Sequence, residues 1–351
     1  MVEVVPVGSG RADRLTSIPV PDVLTLQLPA GLTARPMRPD DVAAAAELLV
    51  AAETVDDTGV HESAEDLAAW WFNELVDPEL DTRVVLTDDG RLVGYATTLA
   101  PPTFRDAYGV HLEGRVHPDW RGRGIGRALL AWQLERGAEL HAERHPQAPA
   151  RLTATVYTTM PSLEALVRRA GLEQARWFFH MDRPLTGLPP RRRVEGVDLV
   201  PFSWDRDDEV RLAHNAAFTE HYGSSERDVA SWQVMFTGER SFRPDLSVLA
   251  LEDGEVVGYA LAYVSEASAA ATGSRESYFG QIGVVPAARG RGLSKAVIIE
   301  ALHVAAAHDC QTAGLEVDSE NVTGALGLYE SLGFTTHRTQ VSWSHRIDPL
   351  H

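Results

Sequence analysis

RGRGIGRALL at residues 121–130 and RGRGLSKAVI at residues 289–298 carry the same glycine and arginine spacing, 168 positions apart. Each stretch follows a run that reads as a strand, HLEGRVHP at 111–118 and FGQIGVVP at 279–286. Each also opens a run that reads as an amphipathic helix. The apolar face is Leu129, Leu130, Leu134 and Ala138 in the first copy, and Val297, Ile298, Ala301, Leu302 and Ala305 in the second. A strand, a glycine-rich turn and a helix start aim unpaired backbone N–H groups and the positive end of the helix dipole at one spot, which makes an anion site. Glycine lets a phosphate approach the backbone, and flanking arginine neutralises it. Two other phosphate loops are excluded. The nucleotide loop G-x-x-x-x-G-K-[ST] is absent, and the dinucleotide pattern G-x-G-x-x-G fails because its third glycine is Arg127 in one copy and Lys295 in the other.

The duplication covers whole domains. Gly-Tyr-Ala at 94–96 returns at 258–260, an offset of 164, close to that of the turns. Both copies start with a short strand and two helices. The strand is in GLTARPMRPDD or VDLVPF; the helices fall near 42–51 and 63–76, then 206–219 and 226–237. A hairpin follows in each, around Asp89-Gly90 and around Asp253-Gly254. The expected organisation is an extended arm over 1–30, a first domain over 31–185, a linker over 186–196 and a second domain over 197–351. The linker TGLPPRRRVEG reads as a solvated connector.

The composition bounds the function. A chain of 351 residues suits two domains, each large enough to bury a core. With 32 Lys+Arg against 50 Asp+Glu the formal net charge is −18, which argues against nucleic acid or an anionic membrane as partner and favours a neutral or cationic small molecule. Cys310 is the only cysteine, so the chain forms no internal disulfide and no thiol-based zinc cluster; it reads as a small core residue. No run of apolar residues is long enough to span a membrane, and the N-terminus has no export signal, so a cytoplasmic location and no membrane partner are expected.

The remaining pattern, R-x-x-G-x-G, is met by Arg121, Gly124 and Gly126 and nearly met by Arg289, Gly292 and Ser294. With the strand before it, the helix after it, the upstream hairpin and LEVDSENVTGALGLYESLGF at 315–334, the chain resembles the GCN5-related N-acetyltransferase (GNAT) family over about residues 31–345. Two copies of this length, with RWFFHM closing the first at 176–181, are similar to tandem members of the mycothiol synthase type. The resemblance implies an α/β fold with a mixed sheet, as two tandem acyl-CoA-binding domains, and acetyl-CoA as cosubstrate with no metal. It also implies direct transfer to a primary amine. Cofactor contacts would come from Val284, Val285, Arg289, Arg291, Gly292, Ser294, Lys295 and Asn321 in the second copy. In the first copy they would come from Val116, Arg121, Arg123, Gly124, Gly126 and Arg127.

By the same resemblance Tyr329 takes the place of the acid that protonates the departing thiolate. The base is open between Glu276 and Glu316, each of which can also be read as a solvated strand end. Glu220 and His221 fall where an acceptor pocket would be lined. The first copy departs here: aligning Gly171-Leu172 with Gly333-Phe334 puts Val167 at Tyr329 and Thr159 near Asn321, and leaves Glu113 as the one candidate base. The reading is an N-acetyltransferase active in its second domain, with a small-molecule primary amine as acceptor and an acidic balance that favours a cationic one. The rivals are a non-catalytic acyl-CoA sensor and an acyltransferase using another acyl group. The sequence specifies neither the acceptor nor the oligomeric state.

Overall fold

A computed structural model of the chain describes residues 26–219, 225–320 and 324–350. The arm expected over 1–30 lies outside these residues up to position 25. The first half contributes β1 (Leu32–Arg35), α1 (Val42–Asp56), α2 (Ala64–Trp71), α3 (Pro78–Asp81), β2 (Thr82–Thr87), β3 (Leu92–Leu99) and β4 (Tyr108–Val116). It continues with α4 (Ile125–Arg144), β5 (Ala150–Tyr157), α5 (Pro161–Arg169) and β6 (Glu173–Pro184). The second half contributes β7 (Val197–Pro201), α6 (Asp207–Ala217), α7 (Val229–Trp232), β8 (Val248–Glu252), β9 (Glu255–Tyr263), α8 (Glu266–Thr272) and β10 (Glu276–Val284). Then come α9 (Leu293–Ala307), β11 (Thr312–Asp318), α10 (Ala325–Ser331) and β12 (Thr335–Ile347).

The strands form one twelve-stranded mixed sheet in the order β1-β2-β3-β4-β5-β12-β6-β11-β10-β9-β8-β7. The last strand of each half lies among the strands of the other: β12 pairs with β5 from Gln340↔Tyr157 to Ile347↔Ala150, and β6 pairs with β11 from Pro184↔Thr312 to Phe178↔Asp318. The two exchanged strands pair with each other at the centre. Each half is therefore closed by a strand that the other half supplies.

Strand alternation sends side chains to two helix layers. In β9, Tyr259, Leu261 and Tyr263 pack with Val210, Ala213, Trp232 and Phe236 of the α6–α7 region. Ala260 and Ala262 face Val297, Ile298 and Ala301 of α9. The first half repeats this with α1 and α2 on one face and α4 on the other. Ser63 caps α2 in a reciprocal pair with Asp66, and the helix ends at Trp71, short of the 76 its periodicity suggests.

The 186–196 segment, read as a solvated connector, is mostly exposed and is also tied down along the second half as a strap. The Pro189 carbonyl lies 2.8 Å from His303 Nε2, Arg191 Nε lies 2.8 Å from Glu300, and Leu188 and Val194 pack on the second-half core. Cys310 is buried in that core, and burial raises its thiol pKa.

Candidate active site

The glycine turns have one backbone shape in both halves. Gly122, Gly124, Gly290 and Gly292 have φ of +77°, +93°, +80° and +79°, a region that a Cβ strains. Gly124 and Gly292 stand at the N-caps of α4 and α9, neither with a side-chain cap. The first-turn N–H groups, at Ile125, Gly126 and Arg127 and at Leu293, Ser294 and Lys295, have no carbonyl of their own helix to bond.

The arginines do something other than the sequence suggests. Arg121 donates to both carboxylate oxygens of buried Asp56 at the end of α1, at 2.6 and 2.8 Å, and to the Val116 carbonyl at 3.1 Å. Arg289 donates to the Val284 carbonyl at 3.3 Å and to the Ala217 carbonyl at the end of α6 at 2.8 Å. Arg291 is held by Glu252 at 2.7 Å and by the Glu195 carbonyl at 3.0 Å. Arg123 donates to the Asp119 carbonyl and lies over the Trp120 ring. These four brace the turns, and their guanidinium groups point at protein. Among the described residues Lys295 reaches Ser331, at 3.5 Å.

Beside the second turn the sheet opens. β10 and β11 pair through three residues, Glu276↔Thr312 to Tyr278↔Gly314, and then diverge. β10 bulges between Phe279 and Gln281 against β9. The bulge residue is Gly280, where a Cβ would stand 2.7 Å from the Tyr263 ring. Val285 N–H is donated to the Val257 carbonyl at 3.0 Å, so the backbone N–H of this expected cofactor contact is closed. Antiparallel alternation then turns the N–H groups of Ile282 and Val284 the other way, toward the gap left by β11.

A cavity of about 1260 Å³ lies over this gap, on the α1–α2 and α6–α7 face. Glu276, Tyr278, Gly280, Gly314, Glu316 and Tyr329 all line it. Gly314 makes room for Glu276: a Cβ there would stand 2.6 Å from the carboxyl carbon. Burial, with Asp182 nearby, raises the Glu276 pKa to about 6. Burial also raises the Glu316 pKa to about 7, against a hydrogen bond from Gln340 that favours the ionised form. Its side chain keeps 28% of its exposure, since it sits on the floor of an open cavity rather than in the core. His180 Nε2 approaches Glu316 to 3.2 Å.

Tyr329 meets the gap from the opposite layer. It packs with Leu315, Val317 and Phe334, is 9% exposed, and burial pushes its phenol up to about 12, so it stays protonated at neutral pH. Asn321, Glu220 and His221 lie outside the described residues.

Several cavity groups had no sequence signal. Glu62, before α2, and Glu239, after α7, are each raised to about 7, mainly by burial, with Glu113 repelling Glu62 and Glu62 repelling Glu239. Their spacing of 177 residues matches no motif offset. His180 and Gln340 arrive on the two exchanged strands. Arg338 of β12 pins the first-half wall through Asp57, at 3.3 Å.

In the first half β4 has no bulge against β3. Tyr95 O–H donates to Glu113 at 3.1 Å. Val167 occupies the place of Tyr329, since the same backbone bond closes both turns: Leu172 N–H to the Val167 carbonyl, and Phe334 N–H to the Tyr329 carbonyl, each 3.1 Å. Thr159 is exposed and lies 3.5 Å from the Asp57 carbonyl.

Residues 46–152 and 208–334 match the profile of the acetyltransferase (GNAT) family. Curated relatives include the mycothiol acetyltransferase of Streptomyces griseus, 36% identical over 268 residues, 74% of this chain and 78% of that protein. That of Frankia casuarinae is 33% identical over 264 residues, 72% of each. A GCN5-related N-acetyltransferase from Sphaerobacter thermophilus superposes with a TM-score of 0.72 at 27% identity, covering 92% of this chain and 98% of that one. A tandem GNAT protein from the clavulanic acid biosynthesis pathway shares the fold, with a TM-score of 0.64 at 21% identity over 91% of this chain and all of that one.

Proposed function

We propose, from the premise that this chain belongs to the acetyltransferase (GNAT) family, that its second half moves an acetyl group from acetyl-CoA to a primary amine of a small molecule. The observation that carries this reading is the convergence of Tyr329, Glu276 and Glu316 on one gap between β10 and β11, beside an uncapped helix start. The pyrophosphate of the cosubstrate would rest on the first-turn N–H groups of α9. The thioester carbonyl would lie along the inward N–H groups of Ile282 and Val284, which stabilise the developing oxyanion.

The chemistry then divides between the two layers. An ammonium group entering the cavity loses a proton to Glu316 or Glu276, whose raised pKa values suit a base working near neutrality. The amine nitrogen attacks the thioester carbon, the C–N bond forms, and the C–S bond breaks. Tyr329 gives its proton to the departing sulfur, and the second proton shed by the nitrogen as the amide forms restores the phenol. No acyl-enzyme is needed, and buried Cys310 takes no part.

Acidic walls at Glu62, Glu239, Glu276 and Glu316 favour a cationic acceptor, because a bound ammonium offsets the cost of ionising buried carboxyls. Relatives named mycothiol acetyltransferase support a small molecule as acceptor. Tyr329→Phe tests the reading: acetyl-CoA binding is expected to persist while kcat falls roughly 10²- to 10⁴-fold. An unchanged kcat, with chemistry limiting the rate, overturns the assignment of Tyr329.

A further inference from the structure

We propose that Arg192, carried by the strap between the two sequence halves, is a ligand for the pyrophosphate of the acyl-CoA substrate. This rests on the reading of the second half as the cosubstrate site. The guanidinium of Arg192 lies flat against the helix start: a Cβ on Gly292 would stand 2.6 Å from its Nη2, 3.0 Å from Cζ and 3.3 Å from Nε. Gly292 is the N-cap of α9, so the cation stands beside the start of that helix. Among the described residues it has no acidic or carbonyl partner, and it is exposed.

Charge accounting makes that position informative. A pyrophosphate diester carries two negative charges, and the arginines of the turn are committed elsewhere: Arg289 to two backbone carbonyls and Arg291 to Glu252. A strong phosphate site needs a guanidinium free to make charge-assisted bonds, and the strap supplies one. The strap is also held in place for this. Arg191 bonds Glu300 one side of Arg192, and Arg291 bonds the Glu195 carbonyl on the other, so the residue between is presented with little ordering left to lose. At the first turn the cation nearest a Cβ built on Gly124 belongs to the helix itself, Arg127 with Nη2 at 3.6 Å, and the pre-strand segment among the described residues brings only Pro29 Cγ, at 3.9 Å.

The test is calorimetry on the full chain with acetyl-CoA, acetyl-dephospho-CoA and S-acetylpantetheine, comparing wild type, Arg192→Ala, Arg192→Lys and Ser294→Glu. Arg192→Ala is expected to weaken both phosphate-bearing ligands roughly tenfold and leave S-acetylpantetheine alone, with Arg192→Lys recovering part of the loss. An affinity equal to wild type, or a loss confined to the ligand with the 3′-phosphate, overturns the proposal. Ser294→Glu separates this from the underlying reading. An acid in the first helical turn suits the fold but repels a phosphate there. If Ser294→Glu binds acetyl-CoA normally, the second turn is not the cosubstrate site at all. If it loses binding while Arg192→Ala does not, only the role of Arg192 fails.

Discussion

The two halves share a turn and differ in what surrounds it. The φ values of the four turn glycines agree within 16°, and each turn is braced by an arginine reaching the end of its half's first long helix. Across the turn, β10 bulges at Gly280 and β4 does not. Allowing one residue for the bulge, Glu276 falls at Gly109, Tyr278 at His111 and Glu316 at Thr155, and Val167 stands for Tyr329. A backbone anion site can persist without the acid and base of the second half, because the turn that makes it also joins strand to helix. We infer that the first half is kept as architecture: it supplies β6 and one wall of the cavity, including Glu62.

The bracing arginines give the largest expected difference between the halves. Arg121→Ala strips a guanidinium from Asp56, which is 3% exposed, and leaves an unpaired buried carboxylate. A loss of about 3 kcal/mol in folding stability is expected by denaturant titration. Arg289→Ala removes the bonds to the Val284 and Ala217 carbonyls, and the loss of these two is expected to cost about 1 kcal/mol. Equal losses would mean that the two turns are braced alike, and the contrast between them would disappear.

A second pair changes charge at one position of each helix. Lys295→Glu and Arg127→Glu both put an acid in the first turn, where the helix tolerates it. The Lys295 variant is expected to raise the KM for acetyl-CoA about tenfold, with Arg127→Glu costing far less turnover. The opposite order would move the active site to the first half.

Much of this arrangement was legible because its signals are local. The hairpins at Asp89-Gly90 and Asp253-Gly254, the strand-turn-helix units and the position of Tyr329 each rest on residues a few places apart. The pairing of β12 with β5 is not local, since Gln340 and Tyr157 are 183 residues apart and their alternation fits either sheet neighbour. Everything the exchange brings in was therefore unseen, including His180 and Gln340 beside Glu316. The arginines misled for a related reason. R-x-x-G-x-G records that a cation is present, while Asp56 and the Ala217 carbonyl, which decide where it points, lie far upstream.

The smallest expected effect concerns Glu316 and is a difference in stability that depends on pH. Its pKa is raised from 4.5 to about 7 in the folded chain because burial disfavours the charge. The folded state therefore holds a proton that the unfolded chain releases, and the stability contributed by the neutral carboxyl is full below about pH 4.5 and lost as pH rises through about 7. Glu316→Gln keeps a neutral side chain at every pH and still offers an oxygen to Gln340. The variant is expected to melt at the wild-type temperature near pH 4 and a few degrees higher at pH 8, where the wild type must ionise a carboxylate on the cavity floor. The same substitution is expected to lower kcat, so greater stability and lower activity should come together. Thr155, at the matching place in the first half, has no charge to bury, and Thr155→Val should leave the pH dependence of melting as in wild type. A Glu316→Gln variant that melts with the wild type at both pH values would show a fully hydrated carboxylate, unsuited to take a proton from an amine near neutrality.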